Sequence, residues 1–181
     1  MSDLHLDADG VVREARQIAS PNFDQRSPGT AIALVVIHNI SLPPGEFGSD
    51  GVIELFTNQL DSEEHSYYRE IYQQRVSAHF FIRRNGELIQ FVPCGKRAWH
   101  AGTSQWQGRE RCNDFSIGIE LEGSDDTPFE AMQYAVLKDL LAALKQTYPI
   151  TGITGHSDIA PGRKTDPGPF FDWKQVTHEH D

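Results

Sequence analysis

The chain has 181 residues, of which 38% are hydrophobic and 23% are charged, as expected for one globular domain with a real core. Its formal net charge is −10, which argues against general nucleic-acid binding, because that function needs a basic face. No apolar run approaches the roughly 18 residues that a membrane-spanning helix needs, so no membrane association is expected.

Two features favour a cytoplasmic location. The acidic segment 1–10 contains no apolar stretch of the kind found in secretory signals. The chain has two cysteines, Cys94 and Cys112, and so few thiols in a chain of this size indicate a reducing compartment. A single disulfide between these two cysteines is the alternative that the sequence leaves undecided.

The first half of the chain predicts a strand, a helix and a hairpin. Residues 1–30 are polar and rich in turn residues, and we expect them to wrap around a core formed by residues 31–176. The run Ala31–Ile37 is apolar and β-branched, which predicts a strand buried on both faces. Helical spacing follows over 50–60, and an Asn-Gly pair between apolar runs then predicts a hairpin over 77–92.

The second half predicts a strand, a long helix and a short strand. Ser116–Glu122 alternates apolar and polar residues, which predicts a strand with its acidic side chains on one face. Thr127 as N-cap and Pro128 in the first turn predict a helix that ends near Pro149. A strand over 150–155 and a short final helix follow. This mixture predicts a single α/β domain that spans all 181 residues.

The loop Gly155–Pro169 concentrates reactive side chains on a rigid backbone. It carries a histidine, a lysine and an aspartate, and three prolines restrict its conformations. A surface loop of ordinary turn residues would have a similar composition. The second interpretation is that the loop holds catalytic groups. A second histidine, His38, lies far away in the sequence and supports this interpretation.

Two of the eight histidines directly follow predicted strands. His38 follows the strand over 31–37 and His156 follows the strand over 150–155, so neighbouring strands would bring both imidazoles to one edge of the sheet. Asp166 on the loop could fold back to meet them. Two histidines and a carboxylate with an open fourth position form a catalytic zinc arrangement, although the spacing alone favours ordinary structural histidines.

Five segments form long, distinctive motifs: Val36–Gly48, Arg75–His79, Lys96–Gly102, Gln107–Gly123 and Gly155–Pro169. They resemble the zinc-dependent N-acetylmuramoyl-L-alanine amidases, and among these the cell-wall recycling group, over about residues 11–176. The resemblance implies a central mixed β-sheet flanked by helices, the fold shared with peptidoglycan-recognition proteins. It also implies an enzyme that hydrolyses the amide bond between the lactyl group of 1,6-anhydro-N-acetylmuramic acid and L-alanine in muropeptides released from peptidoglycan.

The resemblance assigns roles to five positions of this sequence. The family's zinc ligands correspond to His38, His156 and Asp166, while Glu120 occupies the position of the catalytic acid and Lys164 that of the catalytic lysine. Glu120 would then act as general base toward a zinc-bound water and protonate the leaving amine, while Lys164 stabilises the oxyanion. On sequence alone, a solvent-facing strand carboxylate and an exposed loop lysine are the alternatives.

Substrate contacts are expected from six residues, namely Asn39, Arg75, Ala98, Trp99, Arg109 and Leu121. The stem peptide carries carboxylates, and a guanidinium binds a carboxylate through two parallel bonds, so Arg75 and Arg109 are the expected partners. Trp99 would stack on a sugar face, or else belong to the core. His79 and His100 lie in matching segments without being family ligands, and roles beside the ligands or in the pocket wall are expected for them.

Two alternatives compete with this interpretation. A peptidoglycan-recognition module would bind muropeptides without cutting them, but it has no need of the ligands His38, His156 and Asp166. A zinc hydrolase of intact peptidoglycan would act outside the cytoplasm, and no export signal is visible in the sequence. We therefore expect a monomeric enzyme that acts on small anhydro-muropeptides, with no nucleic-acid or membrane partner.

Overall fold

A computed structural model describes residues 4–177, so residues 1–3 and 178–181 of the predicted domain lie outside the description. Its strands are β1 (Arg16–Gln17), β2 (Phe23–Gln25), β3 (Leu34–Ile40), β4 (Phe80–Ile82), β5 (Leu88–Gln90), β6 (Lys96–Ala98), β7 (Gln105–Trp106), β8 (Arg109–Glu110), β9 (Ser116–Glu122) and β10 (Gly152–Gly155). Its helices are α1 (Gly51–Phe56), α2 (Tyr68–Ile71), α3 (Ala131–Thr147), α4 (His156–Ile159) and α5 (Lys174–Thr177).

The central sheet has six strands in the order β1-β5-β4-β9-β3-β10. β3 lies between β9 and β10 and is parallel to both, whereas β4 and β5 form an antiparallel hairpin. The predicted α/β fold with a central mixed sheet is therefore confirmed. Because β3, β9 and β10 are parallel, their carboxyl ends meet at one edge, which is where ligands bind in open α/β sheets.

One face of the sheet packs against α3 and forms the main hydrophobic core. This core includes Val35, Ile37, Ile117, Ile119, Leu121, Leu137 and Leu140. The apolar residues of β9 all belong to it, so the alternation predicted for Ser116–Glu122 is confirmed. Its acidic residues must then point to the opposite face of the sheet.

The start of α3 differs from the prediction, because the helix begins at Ala131 and the predicted N-cap at Thr127 is wrong. The N-cap is Glu130, whose N–H donates to Gln133 Oε1 at 3.0 Å while its own side chain accepts from the Gln133 backbone N–H. Phe129 explains the shift. Its ring is buried in the main core against Gly123, where any side chain would collide with it, and the next residue, Glu130, has an extended backbone.

The opposite face carries α1 and α2 over a second apolar cluster. Phe56 of α1 and Tyr68 of α2 pack there with Phe81 of β4. β3 spans Leu34–Ile40 and so includes His38 instead of ending just before it. The reason is pairing, since His38 continues the parallel ladder with β9. His38 therefore lies inside the sheet, close to its edge.

The segment before β3 contributes strands and core residues. β1 extends the main sheet along β5, and β2 pairs with β6. Val12 and Ala15 are buried in the main core, so the expectation that the core is confined to residues 31–176 is wrong. Within residues 4–177, no helix combines the length and the hydropathy that crossing a bilayer requires.

Candidate metal centre

The two histidines predicted at strand ends lie next to each other. β3 and β10 are parallel neighbours, and Gly155 at the end of β10 pairs with Ile37. His38 follows Ile37 within β3, and His156 follows Gly155 as the first residue of α4. Both imidazoles are almost fully buried. The structure thus brings the two side chains together at the ligand-binding edge of the sheet.

Asp166 completes a compact cluster with these imidazoles. Its Oδ2 lies 2.9 Å from His38 Nδ1 and 3.2 Å from His156 Nδ1, and the two Nδ1 atoms are 3.0 Å apart. The loop turns back to place Asp166 there, because its carbonyl oxygen accepts the N–H of Ser157. Burial alone would raise the pKa of Asp166, but its close contacts with His156 and His38 hold the pKa below its usual value.

The cluster meets the chemical requirements of a metal centre. In a tetrahedral site with bonds of about 2.0–2.1 Å, ligand atoms lie roughly 3.4 Å apart, and the observed separations of 2.9, 3.0 and 3.2 Å are close to this value. Two imidazole nitrogens and a carboxylate oxygen form a donor set that zinc accepts, with a fourth position open to water. His38, His156 and Asp166 therefore form a group that fits a divalent cation.

The outer ring nitrogens of both histidines have partners inside the protein. His156 Nε2 lies 2.9 Å from the carbonyl oxygen of Ala101, which can accept but not donate. His156 therefore carries a proton on Nε2. His38 Nε2 lies 2.9 Å from His100 Nδ1. Burial is the main cause that lowers the pKa of both His38 and His100, so these two rings favour the neutral form.

Glu120 faces the cluster from the neighbouring strand. It pairs with His38 in the register of β3 and β9, and its Oε1 lies 3.8 Å from His38 Nδ1. Its Oε2 is buried without a hydrogen-bond partner among residues 4–177. Burial raises the pKa of Glu120 well above its usual range, the charge of Asp166 raises it further, and Lys164 opposes the rise. Glu120 is therefore not the solvent-facing carboxylate that the sequence left open.

A cavity of about 600 Å³ opens onto this cluster. Such a volume suits a small-molecule ligand. Its lining contains the cluster together with Glu120 and Lys164, and it also contains apolar side chains. The apolar residues of the lining are Ile40, Leu42, Pro44, Leu55, Phe56, Tyr67, Ile71, Val76 and Trp99.

Two of the predicted substrate residues, Asn39 and Trp99, line the cavity. The side-chain amide of Asn39 donates to Asp125 Oδ1 at 2.7 Å and to the Pro167 carbonyl at 3.0 Å. Its donors are therefore already used inside the protein, and they hold β3 against the metal-binding loop.

The other four predicted contacts lie outside the cavity lining. Ala98 and Leu121 are fully buried in apolar clusters. Arg75 and Arg109 are exposed, and the Arg109 guanidinium lies 3.9 Å from the centre of the Phe115 ring. A role in substrate binding stays a prediction for all four residues.

Asp125 is a site residue that the sequence did not indicate. It lines the cavity, and its carboxylate accepts hydrogen bonds from Asn39 and from Thr165 Oγ1. It thereby joins the turn after β9 to the residue beside Asp166. Asp125 belongs to a run of small polar residues whose composition indicates a turn and nothing more, so the sequence offered no signal for this role.

Comparison with known proteins identifies the family of this chain. A model of the N-acetylmuramoyl-L-alanine amidase family matches residues 28–169. The 1,6-anhydro-N-acetylmuramyl-L-alanine amidase AmpD of Escherichia coli (strain K12) is 56% identical over 161 residues, which cover 88% of each chain. A crystal structure of a selenomethionine derivative of AmpD matches with a TM-score of 0.92 at 53% identity, covering 95% of this chain and 97% of that one.

A more distant solved structure carries a bound substrate. The amidase AmiD from E. coli, in complex with the substrate anhydro-N-acetylmuramic acid-L-Ala-D-gamma-Glu-L-Lys, matches with a TM-score of 0.57 at 31% identity. The match covers 94% of this chain and 63% of that one. Taken with the family model and the sequence identity to AmpD, the fold and its metal-type cluster lead to one conclusion: the chain belongs to the N-acetylmuramoyl-L-alanine amidase family.

Proposed function

We propose that this protein hydrolyses the amide bond between the lactyl group of 1,6-anhydro-N-acetylmuramic acid and L-alanine, in a zinc-dependent reaction. The observation that carries the proposal is the convergence of His38, His156 and Asp166 beside the buried carboxyl of Glu120, in a cavity of ligand size. The substrate is supported by the AmpD relative named for this activity and by the AmiD complex with an anhydro-N-acetylmuramic acid peptide.

Zinc is proposed as the metal, held by His38, His156 and Asp166. The donor set of two nitrogens and one oxygen, with a position left for water, is one that catalytic zinc sites use. When bound, the ion supplies a water whose pKa is lowered toward about 7 and a Lewis acid for the carbonyl that is attacked.

Glu120 is proposed as the group that moves the proton. Its unpartnered Oε2 can take a proton from the attacking water, and the same carboxyl can then give that proton to the departing amine of L-alanine. The carbon–oxygen bond forms first and the carbon–nitrogen bond then breaks, so the direct products are a lactyl carboxylic acid and an amine. Transfer of the acid's proton to the amine gives the carboxylate and the ammonium group that are present at neutral pH. A bound divalent cation would favour the ionised form of Glu120 before the attack.

Lys164 is proposed to stabilise the negative charge that develops on the carbonyl oxygen. It lines the cavity, and its charge lowers the pKa of Glu120, so its ammonium acts on the charges at the cluster. The neighbouring Arg163 donates to the carbonyl oxygens of Ala101 and Thr103, each at 2.7 Å. Because Arg163 is engaged in this way, we assign the catalytic charge to Lys164.

Substrate binding is proposed to use apolar side chains of the cavity lining for the sugar and arginines for the peptide. Trp99 lines the cavity and offers a face on which a sugar ring can stack. Arg75 and Arg109 are exposed, and they remain our candidates for the carboxylates of a stem peptide that extends beyond the cavity.

We also propose that the protein acts in the cytoplasm, as a monomer with one domain over residues 1–181. Cys94 and Cys112 are free and buried, which suits a reducing compartment. The net charge of −10 gives no support to a nucleic-acid partner. The proposed partner is a small anhydro-muropeptide.

Digestion of a defined anhydro-N-acetylmuramyl peptide, with mass detection of the products, tests the proposal. We expect the anhydro-sugar and a free peptide that begins with L-alanine, no turnover after treatment with a chelator, and recovery when zinc is added back. Glu120→Gln is the matched control, because it keeps the side-chain shape and the three ligands. Muropeptide binding without cleavage by the zinc-loaded protein contradicts the proposal and favours a recognition module.

A further inference from the structure

A single dipeptide contacts both histidines of the cluster, at the ring nitrogens that face away from the cluster. His100 Nδ1 lies 2.9 Å from His38 Nε2, and the Ala101 carbonyl oxygen lies 2.9 Å from His156 Nε2. His100 and Ala101 are consecutive residues in the segment after β6. The outer nitrogens of both imidazoles therefore depend on one short segment, through the ring of His100 and the backbone of Ala101.

Asn113 holds this dipeptide in place. Its side-chain Oδ1 accepts the backbone N–H of His100 at 3.1 Å and that of Ala101 at 2.9 Å. Asn113 is itself buried, in the short 3₁₀ turn Cys112–Phe115 that leads into β9. One amide oxygen thus fixes both acceptors relative to the sheet that carries His38.

The ring of His100 packs directly on the backbone of β9. A Cβ at Gly118 would collide with this ring, so the position of His100 requires a glycine there. The second ring nitrogen, Nε2, lies 3.1 Å from Ser116 Oγ. The ring is therefore confined by His38, Gly118 and Ser116.

The metal-binding loop is tied to the same dipeptide. Arg163 Nη2 donates to the Ala101 carbonyl oxygen at 2.7 Å, and this oxygen also accepts the proton of His156. Arg163 precedes Asp166 on the loop. The two histidines, and the loop that carries Asp166, are thereby linked to the segment 100–101.

We propose that His100 and Ala101 form a positioning element, which keeps both ligand histidines in the tautomer whose Nδ1 lone pair points at the metal. The inference rests on the proposed function, because it takes His38 and His156 as ligands. A neutral imidazole that binds a metal through Nδ1 must carry its proton on Nε2. An acceptor at Nε2 stabilises that tautomer and fixes the ring, and removing such a partner costs about 10- to 100-fold in metal affinity.

The proton positions are consistent along the whole chain of rings. With Nδ1 of His38 facing the metal, its Nε2–H donates to Nδ1 of His100. A neutral His100 then carries its own proton on Nε2 and donates it to Ser116 Oγ, at the observed 3.1 Å. Each hydrogen bond in this series then contains one proton.

Zinc affinity of matched variants, measured by competition with a chromogenic chelator, tests the inference. His100→Leu removes the acceptor, and we expect it to bind zinc about 10- to 100-fold more weakly. His100→Asn keeps an acceptor oxygen near the place of Nδ1, and we expect it to recover most of the affinity. His79→Leu removes another buried imidazole. Contrary to the expectation from the sequence, His79 does not line the cavity, and its ring nitrogens bond to Gly118 and Lys96 and not to a ligand, so this variant should keep the wild-type affinity.

A second measurement needs no variant to fold. Long-range ¹H–¹⁵N spectra of the zinc-loaded wild-type protein should place the ring protons of His38 and His156 on Nε2. A ring proton on Nδ1 of either residue, or wild-type zinc affinity in His100→Leu, overturns the inference. Failure of the wild-type protein to bind zinc would count instead against the proposed function, so the two failures can be told apart.

Discussion

The two faces of β9 are equally buried but are stabilised in different ways. Toward α3, the strand presents apolar residues that join the main core, namely Ile117, Ile119 and Leu121. On the other face, the residues are Ser116, Gly118, Glu120 and Glu122, and all but the glycine carry polar groups. An apolar face needs partners of matching volume, whereas each buried polar group needs a specific hydrogen-bond partner.

The two glutamates of the polar face show what this difference means. Glu122 is fully engaged, because its carboxylate accepts the N–H groups of Gly48 and Arg84 and pairs with Arg83 at 3.1 Å. Glu120 lies beside the metal-type cluster, and its Oε2 has no hydrogen-bond partner within the described range 4–177. A buried carboxyl with complete partners serves the structure, and one with incomplete partners remains available for chemistry.

Glu120→Gln should give the largest effect and separate function from stability. We expect turnover to fall by about 100- to 10,000-fold, because a positioned proton-transfer group is lost. Zinc content should stay at the wild-type level and the free energy of unfolding should not decrease, because Oε2 has no partner to lose in the part of the chain that the structure describes. Product formation, metal analysis and urea denaturation measure the three quantities. Loss of zinc in this variant would contradict the role given to Glu120.

Glu122→Ala should have the opposite profile. Removing the carboxylate leaves the buried Arg83 with only the more distant and exposed Asp50, at 3.8 Å, as a charged partner, and breaking a buried pair costs about 3–5 kcal/mol in the free energy of unfolding. KM should also rise, because Glu122 holds Gly48, in the loop whose residues Pro44 and Gly45 line the cavity.

Urea denaturation and steady-state kinetics at full zinc loading provide the check on Glu122→Ala. Glu63→Ala is the control, because Glu63 forms an exposed pair with Arg69, and exposed pairs contribute little. If both variants keep wild-type stability, the buried pair does not stabilise the polar face as argued.

Leu137→Ala should affect the apolar face alone. Leu137 on α3 is fully buried in the main core, and truncating a buried leucine costs about 2–5 kcal/mol in the free energy of unfolding. The turnover of the folded, zinc-loaded protein should stay unchanged, because the core lies across the sheet from the cluster. Met132→Ala, on the same helix but 58% exposed, is the matched control with little expected loss. A large drop in turnover for Leu137→Ala would show that the two faces are coupled.

The same division explains how much the sequence could predict. The period-two pattern of β9 and the apolar run of β3 identified strands, because apolar faces leave a regular signal. His38 and His156 could be placed at one edge because each follows such a run. Their identification as ligands, together with Asp166, depended on the resemblance to a family.

The partners of the polar face left no local signal. His38 and His100 are 62 residues apart in the sequence, yet their rings are hydrogen-bonded. In the sequence Asp125 has the context of a turn residue. Its role depends on the contact with Thr165, which only the folded loop provides. The predicted cap at Thr127 failed for the same reason, because burial of Phe129 in the core decided where α3 begins. Polar partners and helix starts were set by tertiary contacts, which no short pattern encodes.

The last prediction concerns His79, a buried polar residue beside the polar face of β9. Its Nδ1 accepts the N–H of Gly118 and its Nε2 donates to the Lys96 carbonyl, so it is satisfied as a neutral ring. Burial, and then the charge of Arg26, lower the pKa of His79 to about 3. The unfolded chain, with an ordinary histidine pKa of about 6.5, therefore binds more protons than the folded protein between these two values.

The contribution of neutral His79 to the free energy of unfolding is thus fully present above pH 6.5 and is lost as the pH falls toward 3. One pKa unit corresponds to about 1.4 kcal/mol, so the contribution at pH 5 should be about 2 kcal/mol smaller than at pH 8. His79→Asn keeps an acceptor for Gly118 but cannot titrate, so its free energy of unfolding should fall less steeply with acid than that of the wild type. Urea denaturation between pH 8 and pH 5 gives the slope of the free energy of unfolding against pH for each protein. The difference between the two slopes isolates the contribution of His79, because the other buried histidines titrate in both proteins. Parallel slopes would contradict the prediction. They would mean that His79 takes up a proton as readily in the folded protein as in the unfolded chain.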